Sequence, residues 1–120
     1  MDSRQGKSNR DRGATAERQV RDIFRMFGFD KVRRGYVFQG EPDIVGAPGL
    51  HIEVKYQKHC KVWEWLAQSD TDAARRKDGN PVLFFRRPGE PFRVIVPAKM
   101  FMEMYTIWEK ANYEVGEDGE

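Results

Sequence analysis

The sequence predicts a single α/β domain over residues 1–120, with the element order helix, three strands, helix, two strands, helix. Two patterns predict this order. Three segments have the apolar and small residues of helices, and five short apolar runs are bounded by glycine and proline, as strands are. A chain of 120 residues can bury one core but not two.

The first predicted element is an amphipathic helix from Arg12 or Gly13 to about Phe27, ended by Gly28. Residues 1–10 before it are polar and basic without periodicity, so we expect a flexible arm there. The apolar stripe recurs at about 100° per residue and consists of Ala16, Val20, Ile23, Phe24 and Phe27. Glu17 lies at the edge of this stripe, where its carboxylate can reach the sheet on which the helix packs.

Three strands are predicted next, over Val32–Phe38, Asp43–Val45 and Leu50–Tyr56. The segment Gly46–Gly49 has the residues of a tight turn, which predicts that the second and third strands form a hairpin.

The second half of the chain continues the alternation of helix and strand. The predicted elements are a helix over Trp63–Lys77, strands over Pro81–Arg86 and Phe92–Val96, and a helix over Ala98–Tyr113. Residues 114–120 are acidic, and we expect them to form a flexible tail.

Composition excludes some classes of protein. The chain is 33% charged, with a mean hydropathy of −0.77, and no apolar run approaches the roughly 20 residues of a membrane helix. The N-terminus lacks the apolar segment of a secretory signal. The single cysteine, Cys60, rules out an internal disulfide and fits a reducing cytosol. We therefore expect a cytoplasmic protein that does not associate with membranes.

The net charge of +2 is distributed unevenly. Residues 1–34 contain ten Lys and Arg against five Asp and Glu, whereas residues 101–120 contain one Lys against six acids. Basic residues also cluster, at Arg33–Arg34, Arg75–Lys77 and Arg86–Arg87. Such clusters suit a polyanion such as DNA; the alternative is a solubilising surface.

The most informative motif is Asp43 followed by Glu53 and Lys55 on the next strand. Strand side chains alternate faces, so Glu53 and Lys55 point the same way, and the hairpin brings Asp43 towards them. Together with Glu17, these residues favour Mg²⁺ or Mn²⁺ held by Asp43, Glu53 and the main-chain carbonyl of Val54, with Lys55 positioning a water. This is the chemistry of phosphodiester hydrolysis; the alternative is an ion pair on a solvated sheet.

The residues also resemble a known family. Pro42–Asp43, Glu53–Lys55 and a preceding helical Glu17 resemble the PD-(D/E)xK nuclease superfamily, and Gly13–Arg18 resembles the helix opening of archaeal-type Holliday junction resolvases and their phage relatives. The resemblance implies a restriction-endonuclease-like core with a mixed central sheet flanked by helices. It also implies a homodimer and a catalytic set of Glu17, Asp43, Glu53 and Lys55. From its place on the helix, Glu17 can ligate the metal through water or help to bind a second ion.

Other residues are candidates for contacts around this site. Basic residues placed to bind DNA phosphates are Arg10, Arg12, Arg33, Arg34, Lys58 and Lys61. Gln57 and Gln68 are candidate accessory residues, and a solvated surface is the alternative for all eight.

Histidines and aromatic residues leave further alternatives open. His51, His59 and Cys60 are too few for structural zinc, but His51 shares the Glu53 face and either lines the site or is an ordinary buried histidine. Trp63 and Trp65 stack on unpaired bases, anchor the second helix or form a dimer contact. The last helix is apolar over a wide face, which indicates a subunit interface.

These observations predict an Mg²⁺-dependent DNA endonuclease, most simply a Holliday junction resolvase-like homodimer that acts on branched DNA. Two alternatives remain at this stage: a nuclease with the same core that acts on linear or single-stranded DNA, and a DNA-binding protein without catalytic activity.

Overall fold

A computed structural model describes the backbone of residues 3–113 and the side chains of residues 9–113. The predicted acidic tail, 114–120, lies outside the described residues. The helices are α1 (Ser3–Met26), α2 (Val62–Arg76) and α3 (Ala98–Asn112). The strands are β1 (Arg33–Arg34), β2 (Ile44–Val45), β3 (Leu50–Tyr56), β4 (Asn80–Arg86) and β5 (Arg93–Ile95).

The five strands form one mixed sheet in the order β1-β2-β3-β4-β5. β3 and β4 are parallel and the other neighbours are antiparallel. A parallel pair needs a crossover connection, which α2 supplies. The predicted α/β class, the element order and the mixed sheet flanked by helices are confirmed.

Helix α1 covers one face of the sheet around β3. Ala16 and Val20 from its predicted stripe are fully buried, and the rest of this core consists of Val32, Ile44, Ile52, Val54 and Val82. Phe27 is 75% exposed, contrary to the predicted stripe, because α1 ends at Met26. Helix α2 packs against β4 and buries Trp65, Ser69 and Ala73.

Two predicted elements differ from the structure. α1 begins at Ser3 rather than near Arg12, so residues 3–10 are helical where we expected a flexible arm; extending an existing helix is far less costly than nucleating one. The first strand is only Arg33–Arg34, because its neighbour β2 offers two residues for pairing. A 3₁₀ turn, Val37–Gln39, occupies the rest of the predicted strand.

Helix α3 buries none of its residues, although Met100 packs against the core. Its large apolar side chains are exposed, among them Phe101, Met104, Tyr105, Ile107 and Trp108. In the part of the chain that the structure describes, we find no helix with the length and apolarity to cross a membrane.

Candidate active site

Asp43 and Glu53 face each other across the β2–β3 hairpin. Ile44 pairs with Ile52 in the antiparallel register, so the next pair along the two chains is Asp43 opposite Glu53. Residues that oppose each other directly on one face of a sheet have Cβ atoms about 4.5–5.5 Å apart. The hairpin therefore brings two carboxylates that are ten residues apart in sequence into one site.

Hydrogen bonds to the backbone hold Asp43 in place. The main-chain N–H of Val54 donates to Asp43 Oδ2 at 2.8 Å, and the N–H of Gly35 donates to the Asp43 carbonyl at 2.9 Å. Gly35 has to be glycine for this contact, because a Cβ atom there would lie 1.8 Å from the carbonyl oxygen of Pro42. The backbone on both sides thus fixes the direction of the Asp43 side chain.

Glu53 is enclosed, with 18% of its side chain exposed. Burial is the largest cause that raises the pKa of Glu53 to about 9, the charge of Asp43 adds to the shift, and Lys55 partly opposes it. Two carboxylates at close range cannot both ionise without a compensating charge. The pair therefore needs either a proton or a cation at neutral pH.

Glu17 approaches the same point from α1. Burial first, and then the charge of Asp43, raise the pKa of Glu17, while Arg34 opposes the shift. Arg34 Nε donates to Glu17 Oε1 at 3.0 Å. Glu17 is therefore close enough to influence Asp43, but its carboxylate is turned towards an arginine.

An open cleft of ≈ 570 Å³ lies between α1 and the end of β3. Five residues of the predicted site line it: Glu17, Asp43, Val54, Lys55 and Gln57. Val54 packs its side chain into the core, so it offers its backbone to the cleft. The remaining site acid, Glu53, lies beside the cleft next to Asp43 and Lys55.

Three of the six basic residues predicted to bind DNA line the cleft, and three do not. Arg12, Lys58 and Lys61 line the cleft, and Arg12 lies over the Tyr56 ring at 5.6 Å from its centroid. A cation held against an aromatic face keeps its charge available at the cleft wall. Asn9, Tyr56 and His59 also line the cleft; no motif in the sequence indicated them.

Arg33 and Arg34 instead form ion pairs within the chain. Arg33 donates two hydrogen bonds to Glu41, at 3.1 and 3.2 Å, and Arg34 pairs with Glu17. Arg10 is exposed on α1 outside the cleft lining. Gln68 is also exposed and donates to Asp72, so it does not reach the cleft in this structure.

The oxygen donors of the site suit a divalent cation that keeps several of its waters. Among the side chains of residues 9–113, no group of three or more His, Cys, Asp or Glu is arranged to hold a metal. Mg²⁺ does not require such a group, since it typically uses one or two carboxylates and keeps several waters. Asp43, Glu53 and the Val54 backbone fit that requirement, with Glu17 near enough to act through water.

The structure also places the histidine and the tryptophans for which the sequence left alternatives open. His51 is fully buried and lies 3.1 Å from Glu53 through Nε2 and 2.8 Å from Asp78 through Nδ1. The alternation of side chains along β3 predicted that His51 shares the face of Glu53. Nothing in the sequence predicted that Asp78 would be its second partner. Trp65 is buried and packs near Phe85, so it anchors α2, whereas Trp63 is exposed.

Comparison with known proteins identifies a matching family. A family model described as archaeal Holliday junction resolvase (Hjc) matches residues 8–118. A search of curated proteins and a search of solved structures each gave no significant match. The family match confirms the resemblance to PD-(D/E)xK nucleases that the motif predicted.

Proposed function

The chain belongs to the archaeal Holliday junction resolvase family, and on that premise we propose that Mg²⁺, for which Mn²⁺ can substitute, is its cofactor. The chain is a nuclease that binds and acts on branched DNA, and nucleases of this family generally need a divalent metal. The observation that carries the proposal is the pairing of Asp43 with Glu53 beside Lys55, at the edge of a basic cleft.

In this proposal Asp43 and Glu53 bind the cation, together with the main-chain carbonyl of Val54. The raised pKa of Glu53, caused first by burial and then by the charge of Asp43, supports this role, because a cation between the two acids supplies the charge that lets both ionise. Glu17 acts through a water, and Arg34 holds it close to Asp43. When bound, the metal supplies Lewis acidity, which acidifies a water and neutralises phosphate charge.

Lys55 is the proposed catalytic cation. It lines the cleft on the same face as Glu53, so its ammonium group can orient the attacking water and stabilise the charge that develops on the phosphate. Gln57 lies two residues further on and lines the same cleft. We assign it an accessory contact to the phosphate, and we assign Gln68 no role.

Arg12, Lys58 and Lys61 are the proposed phosphate-binding residues. They surround the cleft, and lysine and arginine that neutralise phosphates provide affinity that does not depend on sequence. Arg10 lies on the same helix as Arg12 and extends this basic surface. Arg33 and Arg34 are assigned to internal pairing with Glu41 and Glu17 rather than to DNA.

The proposed working unit is a homodimer that acts on DNA in the cytoplasm of a phage-infected or prokaryotic cell. Support for the dimer comes from α3, whose exposed apolar face includes the stacked rings of Phe101 and Tyr105. Soluble monomers rarely expose contiguous apolar patches of large area. An isologous interface through α3 would cover it in both copies and present two cleavage sites to a branched substrate.

The test is a cleavage panel of synthetic four-way junction, flap, linear duplex and single-stranded DNA, each with Mg²⁺, Mn²⁺ or EDTA. We expect cleavage of the junction with either metal and none in EDTA. Asp43→Asn keeps an oxygen that can accept the Val54 N–H but removes the charge, so cleavage should be lost. Asp22→Asn, at an exposed acid elsewhere on α1, serves as the control and should cut normally.

Equal cleavage by the parent and Asp43→Asn would refute the assigned metal site. Equal rates with metal and in EDTA would refute the metal dependence.

A further inference from the structure

His51 is a fully buried imidazole that lies between two carboxylates. Its Nε2 atom is 3.1 Å from Glu53 Oε1 and its Nδ1 atom is 2.8 Å from Asp78 Oδ1. An ionised carboxylate can only accept hydrogen bonds, so the short Nδ1 contact fixes a proton on that nitrogen. With Nδ1 held by Asp78, the ring cannot turn away from Glu53.

A second layer of contacts holds Asp78. Its other carboxylate oxygen accepts from Arg76 Nε at 3.1 Å, and Arg76 Nη1 donates to the carbonyl of Gly40 at 2.6 Å. Gly40 precedes Glu41 in the segment that leads into Asp43. The chain of contacts thus runs from Glu53 through His51, Asp78 and Arg76 to the backbone just before the other site acid.

We propose that His51 and Asp78 are positioning residues that hold the Glu53 carboxylate in the orientation that binds the cation. The inference rests on the proposed function, since Glu53 is a metal ligand only there. To hold an ionised Glu53, His51 Nε2 has to donate a hydrogen bond to Oε1, which leaves Oε2 free of that contact. Mg²⁺ demands near-ideal ligand geometry, and loss of a hydrogen-bonding partner behind a ligand typically weakens metal affinity about 10–100-fold.

The alternative for His51 is a purely structural role, with its ring nitrogens paired only to avoid a buried polar group. The two roles differ in what they affect. A structural role would alter the free energy of unfolding without altering affinity for the cation in the folded protein. A positioning role alters metal affinity and leaves metal-independent DNA binding unchanged.

The experiment is calorimetric titration of Mn²⁺ into the metal-free, full-length protein without DNA. Asp78→Ala removes the acceptor from His51 at a partly exposed position, and we expect about 10–100-fold weaker Mn²⁺ binding. Asp78→Asn can still accept from Nδ1 and should restore most of the affinity. His51→Phe keeps a buried ring without its nitrogens and should weaken binding at least as much as Asp78→Ala.

Glu90→Ala is the matched control, since Glu90 is an acid paired with an arginine, Arg87, in the β4–β5 loop; its Mn²⁺ affinity should equal that of the parent. Thermal unfolding and junction binding in EDTA, measured for every variant, identify any that fails to fold. If His51→Phe does not fold, the comparison of Asp78→Ala with Asp78→Asn still tests the positioning role.

Parental Mn²⁺ affinity in Asp78→Ala, or equal losses in Asp78→Ala and Asp78→Asn, would overturn the positioning role and leave the proposed function intact. Absence of Mn²⁺ binding in the parent itself would overturn the metal assignment, and the positioning role with it.

Discussion

The cleft and helix α3 differ in where their side chains find partners. In the cleft, Glu17 pairs with Arg34, Asp43 accepts from the Val54 backbone and Glu53 contacts His51. On α3, Phe101 and Trp108 are about half exposed and pack mainly against neighbours on the same helix. The site acids are therefore held within one chain, whereas the apolar face of α3 stays exposed among the side chains of residues 9–113.

The largest expected effect is a loss of cleavage without a change in the oligomeric state. Lys55→Ala should reduce the rate of junction cleavage about 10²–10⁴-fold, the range for loss of a positioned acid or base. Because Lys55 lines the cleft and is not part of α3, the oligomeric state should not change. Single-turnover cleavage measures the rate, and analytical ultracentrifugation of the same preparation measures the oligomeric state. A variant that cuts at the parental rate would remove Lys55 from the mechanism.

A substitution on α3 should have the reverse effect. Trp108→Glu puts a charge into the exposed aromatic group formed with Tyr105 and Tyr113. Loss of an aromatic anchor from an interface typically costs about 2 kcal/mol or more, which is roughly 30-fold in the dissociation constant. Sedimentation equilibrium should show dissociation to monomers, while calorimetric Mn²⁺ affinity stays at the parental value.

Lys110→Glu, a charge change on the same helix outside that aromatic group, is the control for Trp108→Glu. A monomeric parent protein at all concentrations would contradict the proposed role of α3.

The dependence of stability on pH distinguishes the two regions again. The pKa of Glu53 is raised from 4.5 to about 9 on folding, so between these values the folded state binds more protons than the unfolded state. The free energy of unfolding therefore falls as pH rises through this window. Glu53→Gln removes the titration, so in EDTA at pH 8 its Tm should exceed the parental Tm by about 4 °C or more.

At pH 4, where Glu53 is protonated in the folded state and mostly protonated in the unfolded state, the difference in Tm should shrink towards zero. Mn²⁺ should raise the Tm of the parent more than that of Glu53→Gln, since a ligand stabilises only the state that binds it. A parental Tm above that of Glu53→Gln in EDTA at pH 8 would contradict the raised pKa of Glu53 in the folded protein.

The smallest effect concerns the basic residues of the cleft. Lys58→Ala and Lys61→Ala should each weaken junction binding and lower the salt slope of log K by about 1, as expected for one lost phosphate contact. Fluorescence anisotropy over a range of salt concentrations measures this slope. Lys99→Ala, on exposed α3, is the control.

Arg33→Ala should resemble the control, because Arg33 is paired with Glu41. A slope change as large as that of Lys58→Ala would show that this pair opens on DNA.

The hairpin was predictable because its signals are local. Glycine and proline mark its turn, and alternation along Leu50–Tyr56, the observed bounds of β3, gives the face of each side chain. The opposition of Asp43 and Glu53 follows from those two facts. The start of α1 was not predictable from periodicity, because residues 3–10 have no apolar stripe.

Contacts between distant segments were beyond sequence reasoning. Arg34, predicted from the sequence to bind DNA phosphates, also contacts Glu17, 17 residues away. His51 and Asp78 are 27 residues apart and meet only because β3 and β4 are parallel neighbours, which places the start of both strands together. Such pairs depend on topology and packing, and no local pattern of residues encodes them.

The most direct test of the metal site is anomalous diffraction from crystals of the protein grown or soaked with Mn²⁺. The account predicts an anomalous peak between Asp43 and Glu53, about 2.1 Å from a carboxylate oxygen of each, as for a small hard cation. A protein that cleaves junctions with Mn²⁺ but shows its anomalous peak elsewhere, with none between these two side chains, would contradict the account.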